Sequence, residues 1–469
     1  MQIRPRRRPV LLLAALGLGA GLLLAAALSA PRLVAVLPGD SARDVSSKAS
    51  LRLTFNRPMD HASVESRLLI DPRPAGEMHW EGTTLVFQTS EPWPAGGHVA
   101  VRLAGGARSA SGLPLIGAVA WAFDVGVPRV IYLWPAEGPA DIYARALEAS
   151  DPARLTSTAG VLDFRVTSDG AALVYATQVS GGQVELRRRE FPTGADDALY
   201  TCPTGFVCRV PTLSPDGAWL AFEQEEPGTA GGPSGAVLSR VLLYAVGSGD
   251  APFPAAAVDH STSRPSWSAS GWLAYYDHSL QAYAFLTRPS SAEQAADRYV
   301  PNALGDRGEW SPDGESFVFP ELAFVAESPV DETEQPPLFY SHLYRLDVRS
   351  GAILDLSGEK GYLVEDAGAS YSPDGHWLAF SRKYLDPSRW TLGRQVWRMR
   401  SDGLNPEALT DEPGLNHSAL AWSPDGQYLA YMLFDQTDMT RPAEIWWRSA
   451  DGSAGGVLVV GGYAPAWSP

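Results

Sequence analysis

One phrase recurs along this chain. Trp310-Ser311-Pro312-Asp313-Gly314 is followed by Phe317-Val318-Phe319, Tyr371-Ser372-Pro373-Asp374-Gly375 by Leu378-Ala379-Phe380, and Trp422-Ser423-Pro424-Asp425-Gly426 by Leu429-Ala430-Tyr431. Leu213-Ser214-Pro215-Asp216-Gly217 with Leu220-Ala221-Phe222 is a fourth copy. Weaker copies sit at Ser168-Asp169-Gly170 with Leu173-Val174-Tyr175, and at Trp267-Ser268 with Gly271 and Leu273-Ala274-Tyr275. Repetition at a period of roughly 40–60 residues in strand-rich units specifies a propeller.

Ser-Pro-Asp-Gly is a turn. Proline presets φ at the second position, aspartate suits the third, and glycine takes the left-handed conformation that follows a type I turn in a bulged hairpin. Each unit therefore reads as strand a, tight turn, strand b, with third strands such as Leu343–Leu346, Val396–Met399 and Ile445–Trp447 and a short fourth. The turn chemistry accounts for the aspartates, and no calcium loop of the DxDxDG kind is present.

The anchors Ser168, Ser214, Ser268, Ser311, Ser372 and Ser423 mark six units. Ala466-Trp467-Ser468-Pro469 reads as strand a of a further unit, whereas Val130–Leu133 and Asp141–Ala144 read as strands b and c that lack one. Joining them closes a seventh blade and leaves no unpaired sheet edge. Six or eight blades are the alternatives that the degenerate fourth unit leaves. The phrase is similar to the repeats of TolB-like propellers, which also occur in prolyl-oligopeptidase-type enzymes, over about residues 128–469. The resemblance implies a propeller whose use in that family ranges over periplasmic scaffolding, ligand or peptide binding, and gating of a fused peptidase; fold alone does not choose among these.

Upstream, Arg4, Arg6, Arg7 and Arg8 precede an uncharged apolar stretch from Val10 to Ala30. That is about enough to span a bilayer, with the arginines on the cytoplasmic side. We expect residues 1–32 to be a signal-anchor, the alternative being a secreted protein cleaved near Ser29 and Ala30. Residues 33–126 form a separate unit with alternating strands at Leu51–Phe55 and Val99–Leu103. About seven short strands suggest a β-sandwich. The run Val34–Asp40, then Phe55-Asn56-Arg57-Pro58-Met59-Asp60, then Ser63-Val64, resembles the bacterial Ig-like domain of S-layer and other surface proteins. That resemblance implies a spacer or adhesion module. Pro58-Met59-Asp60 is expected to be a strand-end turn. The fold class expected for the whole chain is all-β: anchor, Ig-like sandwich, then propeller over 128–469.

The chain carries 37 basic and 53 acidic residues, a net charge of −16. Four of the basic residues and no acid lie in the first thirty, so the rest holds 33 basic against 53 acidic residues. Nucleic acid would be repelled by that field. The only cysteines, Cys202 and Cys208, flank Pro203–Val207; in an exported protein such a pair reads as a disulfide. No further clustered ligands accompany them, so no metal site is expected, and no cofactor.

In a propeller the b–c loops share one face with the d–a connections, at the mouth of the channel. Long b–c loops run from Glu223 to Ala236, Glu321 to Pro337, Arg382 to Arg394 and Asp435 to Pro442, the third carrying Trp390. Loops on a rigid scaffold are where binding residues concentrate. Asp163, Arg209, His260, Asp306, Asp366 and His417 stand five to eight positions before the anchor serines. They are expected to ring the mouth, where they could bind a small polar ligand, a peptide terminus or a metal ion. The nucleophile elbow, His-Glu-x-x-His, Walker A and dinucleotide fingerprints are absent. The expected function is non-catalytic: an envelope protein, membrane-bound with its bulk outside the cytoplasm, presenting a propeller face to a protein, peptide or glycan. The alternative is a hydrolase or lyase with its site at the channel mouth and His260 or His417 as base or ligand.

Overall fold

The computed structural model describes residues 30–468 except 150, 192, 227–237, 288, 290–294, 325–338, 359–361 and 439. Among them the only α-helix is the single turn His61–Glu65. No helix among them is long and apolar enough to cross a membrane; the expected anchor lies, apart from its last residues, outside them. Contacts divide the chain into two compact units, one within residues 30–125 apart from Ser46–Lys48, the other running on from Gly126.

The first unit is a two-layer sandwich. One sheet orders Leu33–Leu37, Leu51–Phe55, Thr84–Thr89 and Gly76–Glu81; the other orders Ala42–Val45, Val119–Val125, His98–Leu103 and Leu68–Asp71. Alternation puts Leu51, Leu53 and Phe55 inward against Val99, Val101 and Leu103. Trp93 is fully buried at the centre, edge-on to Phe123, and donates its indole N–H to the Ala49 carbonyl at 2.8 Å. Pro58-Met59-Asp60 does more than turn the chain: Asp60 caps the helix, its side chain accepting from the Ser63 amide at 3.1 Å.

The second unit consists of antiparallel four-stranded groups. The first contains Arg129–Trp134, Asp141–Ala146 and Ala153–Arg154 with the C-terminal Tyr463–Ser468. The next three begin at Val161–Val166, Val207–Leu213 and Thr262–Trp267. The fifth and sixth begin at Glu309–Trp310 and Val364–Tyr371; one parallel pair, Ser341 with Glu365, joins them into an eight-stranded sheet. The seventh begins at Leu415–Trp422. None of these sheets closes on itself.

Each group packs on the next through a buried apolar cluster. Leu133 and Ile142 of the first meet Leu173 and Tyr175 of the second; further round, Val318 and Leu343 of the fifth meet Leu378 and Phe380 of the sixth. The sequence of clusters returns to its start, where Ala430 and Ile445 of the seventh group meet Val130, Tyr132 and Trp467 of the first. Trp467 lies opposite Val130 and Ala466 opposite Ile131.

The repeated turn works as a closed polar loop. Ser214 Oγ donates to Asp216 Oδ1 at 2.5 Å and accepts from the Trp219 amide at 2.9 Å, while Asp216 Oδ1 accepts from the Ala218 amide at 3.0 Å. Ser311, Ser372 and Ser423 repeat it with Asp313, Asp374 and Asp425. In the second group the hydroxyl is not Ser168 but Thr167, which donates to Asp169 at 2.6 Å. The anchor there shifts by one residue.

The aromatic before the turn stitches neighbouring groups. Indole N–H groups reach back to the preceding group: Trp310 to the Ser266 carbonyl at 3.1 Å, Trp422 to Ser370 at 3.1 Å, Trp467 to Ala421 at 3.0 Å. Replacing Trp467 by Ala removes both the buried ring and this bond. The expected loss is about 3–5 kcal/mol, the range for a buried aromatic truncated to alanine. Urea denaturation of Trp467→Ala beside Trp467→Phe checks it; a loss under about 1 kcal/mol in both would mean that the terminal strand does not hold the ring together.

Candidate functional site

The inner strands bend at a fixed place. In the third group Arg209 pairs with Glu223 and Thr212 with Ala221, so three steps on the inner strand match two on its partner. The same extra residue occurs between Ser263 and Ser266, Ala367 and Ser370, Ser418 and Ala421, and Tyr463 and Ala466. One residue in each bulge is left-handed: Val210, Arg264, Gly368, Ala419 and Ala464, with φ between 50° and 62°. Carboxylates of the preceding group catch two of the amides turned out this way. Asp163 Oδ2 accepts from Val210 at 2.9 Å, and Glu223 Oε1 from Arg264 at 2.5 Å.

The six expected rim residues differ in exposure and in partners. Asp163 is half-buried; burial raises its pKa to about 6, against the Val210 amide and the Arg165 and Arg209 charges, and its Oδ1 is buried with no partner among the described residues. Arg209 is exposed. His260 Nδ1 bonds Asp277 Oδ2 at 2.6 Å. Asp306 is exposed and accepts from Arg264 at 3.3 Å. Asp366 and His417 are fully buried and engaged, and are not presented at a mouth. Asp366 receives two bonds from Arg382, at 2.8 and 2.6 Å. His417 bonds the Arg394 carbonyl at 2.8 Å and Glu412 at 3.1 Å. Burial pulls the His417 pKa down despite these two acceptors. Cys202 and Cys208 are joined as a disulfide. No group of three or more His, Cys, Asp or Glu among the described residues could hold a metal ion.

A different cluster forms where the b–c connection after Trp377–Tyr384 leaves the sixth group. Arg389 stacks on Tyr384 at 4.1 Å and is held by Asp386 at 2.8 Å. Trp390 is 53% exposed, with the Lys383 ammonium 5.0 Å from its ring centre. Below them Arg382 faces Phe380 at 4.9 Å and Trp397 at 5.3 Å. Of the other long loops, 227–237 and 325–338 lie outside the described residues.

His342, which the sequence did not single out, is fully buried. Its Nδ1 faces Asp355 Oδ2 and its Nε2 the Tyr362 carbonyl, each at 2.8 Å. An imidazolium, with both ring nitrogens protonated, satisfies the two acceptors together. Burial opposes the charge, but Asp355 and Tyr362 outweigh it and the pKa is raised. The stabilisation is therefore complete below the ordinary value of 6.5 and fades as pH rises through the folded value. We expect the stability difference between wild type and His342→Gln to shrink on going from pH 6 to pH 9 in urea titrations. A difference that stays constant with pH would contradict the imidazolium.

Comparison with known proteins adds the following. Residues 28–125 match the bacterial Ig-like domain family, and that segment is such a domain. No curated protein matches the chain. Among solved structures it is similar to a putative TolB from Agrobacterium tumefaciens, at 22% identity over 58% of this chain and 87% of that one, TM-score 0.38. TolB from Acinetobacter baumannii matches at 14% identity over 86% of this chain and 83% of that one, TM-score 0.41. A prolyl endopeptidase structure matches at 13% over 79% and 49%, TM-score 0.46. The structural neighbours of this chain therefore include TolB-like β-propeller proteins.

Proposed function

We propose that this protein is a non-catalytic binding scaffold of the cell envelope. In this reading residues 1–32 anchor it, 33–126 are an Ig-like spacer, and 128–469 are a seven-bladed propeller whose four-stranded groups are the blades. The propeller captures a protein, peptide or glycan partner outside the cytoplasm. The observation that carries the reading is Trp390, a large aromatic left over half exposed and flanked by Lys383, on a connection where Arg389 bonds Asp386 and packs on Tyr384. Rigid aromatics beside cations are the residues that dominate recognition surfaces. In a chain of net charge −16 this cationic platform also stands out electrostatically.

Catalysis at the mouth would require His260 or His417 as base or ligand. The second is fully buried between two acceptors, out of reach of a substrate at the mouth, which supports capture over turnover. The full chain used as bait on native envelope extract tests the proposal. Trp390→Ala and Lys383→Glu are expected to reduce partner capture at least tenfold, with the melting temperature within about 2 °C of wild type. Undiminished capture by both variants would overturn it.

A further inference from the structure

The channel of the second unit contains a pair of charges that the recognition surface around Trp390 does not use. Alignment on the turn hydroxyl makes the inner strands comparable residue by residue. Two positions before the hydroxyl, one residue in every group lies opposite the middle of the apolar phrase. It is Thr212 opposite Ala221, Ser266 opposite Ala274, Ser370 opposite Ala379 and Ala421 opposite Ala430. In the first group it is Ala466 opposite Ile131. Small side chains thus fill the position in five groups. In the other two it is Arg165, opposite Val174, and Glu309, opposite Val318. Arg165, Glu309, Ser370, Ala421 and Ala466 line one cavity.

The two charges are left unsatisfied. Among the described residues neither side chain makes a hydrogen bond or an ion pair, with the other or with anything else, and Arg165 Nε is buried without a partner. Burial pushes the Arg165 pKa down to about 9, with Arg307 adding repulsion. Burial likewise raises that of Glu309, against the pull of Arg307, Arg165 and Lys48, the last of which also lines the cavity. Poorly hydrated charges without partners are costly, and a partner from outside relieves that cost. Small neighbours leave room between them. A simple anion would meet Glu309, and a simple cation would meet Arg165, Arg307 and Lys48.

We propose that the channel binds a small zwitterion, its carboxylate on Arg165 and its ammonium on Glu309. Arg165 offers a planar fork suited to a carboxylate, with Arg307 adding positive charge nearby. Chain length between the two ligand charges sets specificity, since Arg165 and Glu309 are fixed on different sheets.

Isothermal titration of the purified full chain with glycine, β-alanine, 4-aminobutyrate, 5-aminopentanoate and 6-aminohexanoate tests this, with acetate and methylammonium as single-charge controls. One chain length is expected to bind saturably, at least tenfold tighter than either control. Arg165→Gln and Glu309→Gln are each expected to weaken it at least tenfold, with near-UV circular dichroism unchanged. If one variant does not fold, the other and the chain-length series still decide. The proposal is overturned if no amino acid gives saturable heat, if acetate binds as tightly as the best of them, or if the folded variants bind like wild type. Trp390→Ala should leave this binding intact, so failure here and failure of partner capture are separable.

Discussion

Everything in the second unit depends on a single antiparallel pairing between residues more than three hundred positions apart. Tyr463–Ser468 lies along Arg129–Trp134, and the Trp467 indole reaches across to the Ala421 carbonyl. Without it the first group would expose the edge of Arg129–Trp134, and the seventh would lose the cover over Ala430 and Ile445. Such edges invite pairing with other chains. The contact is also long-range in sequence, so its loop-closure entropy is offset only by what the closing strand buries. Trp467 supplies much of that burial.

The polar turn and the bulge act together on the inner strand. Hydroxyl, aspartate and backbone amides in the turn fix where that strand ends, and the aromatic just before it is locked against the preceding group. The extra residue four positions back then reverses which side of the strand faces inward. Val210 and Arg264 pay a backbone penalty in the left-handed region, and the Asp163 and Glu223 carboxylates offset it by accepting the exposed amides. In the five groups that carry the bulge, channel-facing positions are therefore set by the same local chemistry.

Much of this was legible in the sequence. The Ser-Pro-Asp-Gly phrase gave the strands, their order and the joining of Ala466–Pro469 to Val130–Leu133, and the cysteine spacing gave the disulfide. The rim residues were harder, for a definite reason. Thr167 performs the role assigned to Ser168, which moves Asp163 by one position relative to Arg209 and Asp306. Nothing in the sequence marks the bulge, since Val, Arg, Gly and Ala all occupy it. A one-residue slip on a strand exchanges its two faces, so Asp366 and His417, counted as facing the mouth, are turned into the protein. His342 carried no sequence signal, because its two acceptors, Asp355 and the Tyr362 carbonyl, come from other parts of the chain.

Repetition supplies its own control for function. When the same backbone position is built several times over, the residue types that the fold itself demands appear in most copies. Thr, Ser and Ala at the channel position satisfy packing and nothing more. Arg165 and Glu309 depart from them, and neither side chain gains a hydrogen bond or an ion pair among the described residues; Glu309 stands on a strand of two residues. A half-buried charge that gains no partner from the fold is relieved by one that the channel admits, and two such charges of opposite sign define what that partner would carry.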